Sequence, residues 1–206
     1  MRKILTSRAA KAALFAVCLS PLVRLVVKGL TGGLGANPIE FITRSTGAWT
    51  LSFLLFTLCI TPARRLFELP DLIRFRRMLG LFAFFYGTLH FFTYLWLDKF
   101  FDFADMWKDV MKRPFITVGF TAFVLMIPLA ATSTNGWIRR LGKRWRALHR
   151  LIYASAVLGV VHYYWLVKSD IRLPVMFGAA VAILLVARVR WKKSPAFGNA
   201  GAPARH

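Results

Sequence analysis

Six apolar runs of helical length alternate with short polar clusters along this chain, at 12–30, 46–60, 79–97, 115–132, 149–168 and 175–189. Apolar stretches of this kind predict helices that cross a bilayer, so the expected fold class is an all-α membrane protein with six transmembrane helices. Two connections carry further signal. Residues 31–41 read TGGLGANPIEF, and their glycines and proline predict a tight loop. No strand precedes that loop and GxGxxG spacing is absent, so it is not a nucleotide-binding turn. In the segment 97–113, Asp98, Asp102, Asp105 and Asp109 recur at intervals of four, three and four, with Phe103, Met106, Trp107 and Val110 on the other side. That pattern predicts a short helix lying on the membrane surface, its acidic face available to a partner.

Composition agrees with the pattern. The chain is 57% hydrophobic and 15% aromatic over 206 residues, too apolar for a soluble domain of this size. It is also strongly basic, with 29 Lys and Arg against 8 Asp and Glu. In a soluble protein such an excess would suggest nucleic acid. Here the cations cluster between apolar runs and set orientation instead. Four lie before the first run, five after the second, six after the fourth and five at the C-terminal end, against eight on the opposite side. Both termini are therefore expected on the cytoplasmic side, with residues 1–190 forming one six-span domain and 191–206 a flexible cytoplasmic tail. The basic start resembles a signal peptide but lacks a small-x-small cleavage site, so it reads as the first span. Arg24 interrupts that span, either snorkelling to the interface or meeting an anionic or quinone group. Cys18 and Cys59 lie inside apolar runs without metal-ligand spacing and read as buried packing thiols.

The candidate chemistry sits on histidines. Ionisable groups inside membrane spans are costly and tend to be functional, and imidazole is a common axial ligand of haem iron. His90, among Phe84, Phe85, Tyr86, Phe91, Phe92 and Tyr94, and His162 fall at similar depth in the outer half of two helices running in the same direction. They are placed as two axial ligands of one haem. His149 stands at the cytoplasmic edge, as the first residue of the fifth span. Thirteen positions separate it from His162, about 20 Å of helix and roughly 140° of rotation, so the two do not share a helical face. A second haem at His149 needs another partner, and Arg76 or Arg77 lies at about the right depth. No span carries an Asp or Glu in its interior, which speaks against a proton- or cation-coupled transporter. His206, in the tail, is expected to be functionally silent.

Several segments together carry a resemblance: GGLGANPIE, RRMLGLFAFFYGTLH, KRPFITVGF, PLAATST and RRLGKRWRALHRLIYASAVLGVVHYYW. In register from about 29 to 170, the chain resembles the MsrQ (YedZ) family, haem-binding membrane subunits of bacterial methionine sulfoxide reductase systems. The wider relatives are the ferric reductase and NADPH oxidase transmembrane domains, which also carry two histidines thirteen apart on the fifth helix. The resemblance implies a multi-pass b-type cytochrome of the bacterial inner membrane. It would draw electrons from the quinone pool, with flavin mononucleotide (FMN) as a second cofactor. It would pass them to a periplasmic molybdenum reductase, MsrP, which holds the catalytic site and repairs oxidised proteins. Carried over by position, the haem ligands are His90, His162 and His149. One haem b is implied, and a second is left open, because the oxidases have a further histidine where this chain has Arg76 or Arg77. The cytoplasmic arginines suit haem propionates or a flavin phosphate. Two other readings stay open: a stand-alone haem ferric reductase fed by a flavin reductase, and a histidine-lined metal transporter.

Overall fold

The computed structural model describes residues 6–167 and 169–193. The tail beyond Lys193, with His206, lies outside the described residues. Among the described residues every regular element is helical. The elements are α1 (Arg8–Leu30), α2 (Pro38–Leu66), α3 (Ile73–Phe92), α4 (Phe103–Lys112), α5 (Pro114–Ala131), α6 (Asn135–Leu141), α7 (Lys143–Leu148), α8 (Leu151–Leu166) and α9 (Arg172–Lys193). A single 3-10 turn, Pro70–Leu72, leads into α3, and a π-helical segment, Thr93–Asp98, continues it. Five stretches are long and apolar enough to cross a membrane: Arg8–Leu30, Pro38–Leu66, Pro70–Asp98, Pro114–Ala131 and Arg172–Val189. The sixth expected crossing, α8, is apolar but only 16 residues long, about 24 Å.

Local chemistry explains where the helices depart from the expected bounds. α2 begins at Pro38, eight residues before the apolar run, because Asn37 accepts from the Glu40 amide at 3.2 Å and proline suits the first helical position. At its other end α2 runs through Pro62 to Leu66, past the end of the apolar run at residue 60. A proline inside a helix leaves the carbonyl four residues back without its donor. Here that carbonyl is Leu58 O, and Arg188 of α9 donates to it at 2.9 Å. Contrary to expectation, His149 does not open the helix that carries His162. It ends α7, and with Arg150 forms a turn before α8 opens at Leu151. The 140° separation from His162, reckoned on one continuous helix, therefore does not apply.

The core lies mainly between α2 and α3, where Leu51, Phe53, Leu54 and Leu58 pack against Leu79, Phe82, Ala83 and Tyr86. α5 packs chiefly on α8, and α9 on α8 and α2. Close approach of α2 and α8 depends on Gly159, where a Cβ would come within 2.9 Å of Leu51 Cδ2. The outer surfaces are apolar, with Val17, Leu30, Phe56, Met176 and Ile183 all exposed, as lipid contact requires. Cys59 is among the exposed residues, on the outside of α2, so only Cys18 is the buried thiol expected of both.

α1 is bound to this core by a repair of its own backbone. Pro21 cannot donate to Val17 O, and the Ser20 hydroxyl takes that acceptor at 2.8 Å. One residue further on, the Tyr86 hydroxyl inserts into the helix ladder. It donates to Cys18 O at 2.9 Å and accepts from the Leu22 amide at 3.1 Å. Tyr86→Phe should leave that step of α1 without its bridge. The expected destabilisation is about 1–3 kcal/mol, the cost of buried polar groups left unpaired, read by thermal unfolding in detergent.

Candidate functional site

His90 projects from the last turn of α3 toward α2, and its Nδ1 lies 3.0 Å from Thr43 O. His162 projects from α8 toward α5, with Nδ1 2.7 Å from Phe115 O. A carbonyl oxygen can only accept, so in each ring Nδ1 carries the hydrogen and Nε2 keeps its lone pair. That is the tautomer a metal-bound imidazole requires, and a backbone carbonyl is a usual partner for its outer nitrogen. The two rings meet edge to face, with centroids 6.1 Å apart and planes inclined at 73°. One metal ion held by two imidazole nitrogens at about 2 Å each puts the centroids about 6 Å apart. Donor type, tautomer and spacing thus fit the iron of a haem.

Two glycines make this placement possible. At Gly119 of α5 a Cβ would lie 2.5 Å from His162 Nδ1, and at Gly47 of α2 it would lie 3.0 Å from His90 Cε1. Each histidine rests on a bare patch of the neighbouring helix, which lets Nδ1 reach a main-chain carbonyl. Thr46, fully buried beside Gly47, bonds its own helix at Ile42 O and lies 3.5 Å from His90 Nδ1. Sequence reasoning passed over both glycines. The available signal was an isolated glycine within an apolar helix, which marks a close approach.

His149 is built in the same manner at the other end. Its Nδ1 lies 3.1 Å from Trp145 O and its ring stacks on Trp145 at 3.9 Å. Trp145 in turn donates to Thr132 O at 2.9 Å. His149 Nε2 is buried and has no hydrogen-bond partner. The two candidate arginines separate. Arg76 is half-buried, within electrostatic reach of His149 and of Tyr153 and Arg188. Arg77 is exposed and donates to Asn135 at 2.7 Å, away from the histidine. Arg188 was not expected to matter, since it stands where the last apolar run gives way to the tail. Arg24 is exposed on α1, beside a small pocket of about 100 Å³ lined by Lys28, Phe41, Ser45 and Trp49. Among the described residues no three His, Cys, Asp or Glu side chains gather as a metal site. Two histidines alone suit a metal that brings its other ligands with it, as haem iron does.

The acidic segment differs from expectation. Asp98 ends the π-helical segment and Asp102 caps α4, accepting from the Asp105 amide at 2.9 Å. Asp105 and Asp109 both turn onto Lys99, at 2.5 and 2.6 Å, and Asp109 also pairs with Arg113. The carboxylates hold the Lys99 ammonium above its ordinary range, and Lys99 holds Asp105 below its own. Asp105 and Asp109 are therefore neutralised within the segment, Asp98 and Asp102 stay exposed, and α4 also exposes Phe103, Trp107 and Met111. The amphipathic helix stands as expected, but of its acidic face only Asp109 is buried, against Lys99.

Residues 46–160 match the family described as ferric reductase like transmembrane component, a span that includes His90 and His149 and stops two residues short of His162. Curated relatives carry the name protein-methionine-sulfoxide reductase heme-binding subunit MsrQ. One from Herminiimonas arsenicoxydans is 62% identical over 184 residues, 88% of this chain and 84% of the relative. One from Ralstonia nicotianae is 57% identical over 187 residues, 89% and 86%. A third, from Bordetella pertussis, is 52% identical over 196 residues, 92% and 95%. The chain belongs to the MsrQ family. It is accordingly a multi-pass membrane protein with a ferric reductase-like domain.

Gly119→Ala should force His162 off Phe115 O, an overpacking that costs about 1–3 kcal/mol in thermal unfolding. Gly80→Ala, whose Cβ meets only the Thr57 side chain at 3.7 Å, should leave stability nearly unchanged.

Proposed function

We propose that the chain is a membrane b-type cytochrome subunit. It passes electrons from the quinone pool across the bacterial inner membrane to a periplasmic molybdenum-containing methionine sulfoxide reductase of the MsrP type. The observation that carries this reading is the His90–His162 pair, with both Nδ1 atoms committed to carbonyls and the rings one iron apart. Bound haem supplies one-electron chemistry. The chain's part is to fix both imidazoles in one tautomer, to set their separation and to pack the Phe115 ring against His162. The names of the close relatives support a haem-binding role within a methionine sulfoxide reductase system. The catalytic site then lies on the partner.

In this reading residues 1–190 form six spans with α8 as the fifth, and 191–206 are a cytoplasmic tail. The basic clusters face the cytoplasm and His90 and His162 lie toward the periplasm. His149, with Nε2 buried and unpartnered, serves a second haem or neighbours the flavin. FMN and haem propionates take their charge partners from Arg76, Arg77 and the other cytoplasmic arginines. The family description also favours a second reading, a stand-alone haem ferric reductase fed by a flavin reductase. The two differ in donor and acceptor, so reconstituted vesicles supplied with quinol and either the periplasmic reductase or ferric chelate separate them. A histidine-lined metal transporter has less support, because the histidines stand as a pair and a single ring.

The reduced-minus-oxidised absorption spectrum of the purified protein tests the haem assignment. A b-type band is expected in the wild type and should be lost in both His90→Ala and His162→Ala. A wild type that remains colourless after expression with ample haem contradicts the proposal.

A further inference from the structure

Four helices converge on a cationic cluster that no carboxylate among the described residues balances. Arg188 of α9 turns into the bundle instead of out to water. It donates to the Tyr153 hydroxyl on α8, to Leu58 O at 2.9 Å and to the Thr61 hydroxyl at 3.0 Å on α2. The guanidinium also lies over the Tyr153 ring, 5.2 Å from its centroid. Its Nε is buried and has no hydrogen-bond partner. Arg76 of α3 comes within reach of the same Tyr153 and of Arg188, and Arg64 adds a third positive charge nearby. Among the described residues no Asp or Glu pairs with Arg76 or Arg188.

A single arginine near the end of a span ordinarily snorkels outward and keeps its hydration. Here two guanidinium groups are drawn toward one tyrosine, and their neighbours are a hydroxyl, a carbonyl and each other. Such partners satisfy hydrogen bonds and leave the charge uncompensated in a low-dielectric setting, where like charges repel most. Planar guanidinium groups with donors to spare match the oxygens of a phosphate or carboxylate. His149 Nε2, buried, unpartnered and within reach of Arg76, places a candidate cofactor contact beside the cluster.

We infer that Arg188, Arg76 and Tyr153 form an oxyanion site that holds the phosphate or carboxylate of a bound cofactor at the inner end of the bundle. The inference rests on reading the chain as a cofactor-binding electron-transfer subunit. Two sources share this chemistry, a flavin phosphate and a haem propionate. Arg188 locks α9 to α2 and α8, and the cofactor's anion completes the charge balance of that lock.

The test compares the purified full-length wild type with Arg188→Gln, Arg188→Lys and Arg76→Gln, using two matched pairs of probes. FMN and riboflavin differ only in the phosphate; haem and its dimethyl ester differ only in free propionates. The wild type should bind the anionic member of one pair at least tenfold tighter. That preference should fall toward unity in Arg188→Gln and Arg76→Gln and be partly restored by lysine at 188. The pair affected identifies the source. Arg76→Gln leaves every Arg188 hydrogen bond in place, so it carries the test should Arg188→Gln fail to fold. Preferences unchanged in the variants, or absent from a wild type that binds both cofactors, overturn the oxyanion site and leave the cytochrome reading standing. A wild type that binds neither haem nor flavin overturns both.

Discussion

The arrangement of the site depends on one kind of interaction, a histidine Nδ1–H donating to a main-chain carbonyl of a helical segment. It occurs three times, at His90 with Thr43, at His162 with Phe115 and at His149 with Trp145. In an apolar interior an unpaired imidazole N–H is costly, so the bond fixes tautomer and ring orientation together. Within a helix a carbonyl is normally engaged with its own ladder. It becomes accessible to a side chain from a neighbouring helix only where the contact surface is bare, or near a helix terminus. Gly47 and Gly119 supply the first condition, and the C-terminal turn of α7 supplies the second for Trp145. Helix packing and ligand geometry are therefore one problem: α3 on α2 sets His90, and α8 on α5 sets His162.

The prolines work by the same logic of released carbonyls. Pro21 and Pro62 each leave an acceptor open, and the structure answers with Ser20 at Val17 and Arg188 at Leu58. Tyr86 bridges the next step of α1. Features that would weaken an isolated helix become its points of attachment in the bundle. α1 is held to α3 through a broken ladder, and α9 to α2 through a proline. Each such attachment ties a peripheral helix to the pair that carries the core.

Much of this was legible in the sequence. The long apolar runs, a loop after residue 30 and the amphipathic α4 follow from hydropathy and turn chemistry, and His90 and His162 stood out as ionisable groups at matched depth. Helix bounds were less legible. Asn37–Pro38 is a start signal outside the apolar run, and whether Pro62 ends a helix depends on Arg188, 126 positions away. The break at His149 and Arg150 interrupts basic and apolar sequence without a glycine or proline. Arg77 could not be told from Arg76 without knowing the rotation of α3. Lys99 changes the meaning of the acidic stripe, since it pairs with Asp105 and buries Asp109. The resemblance to MsrQ named the ligand positions, and the glycines and carbonyls that orient them emerged only from the packing.

The account's central claim is that His90 and His162 together hold one haem iron. Electron paramagnetic resonance of the oxidised protein, before and after added imidazole, tests it most directly. The account predicts a low-spin bis-imidazole signal in the wild type, lost when His90 or His162 is replaced by glycine, and recovered when imidazole fills the space so created. A low-spin signal that survives replacement of either histidine without added imidazole would contradict it.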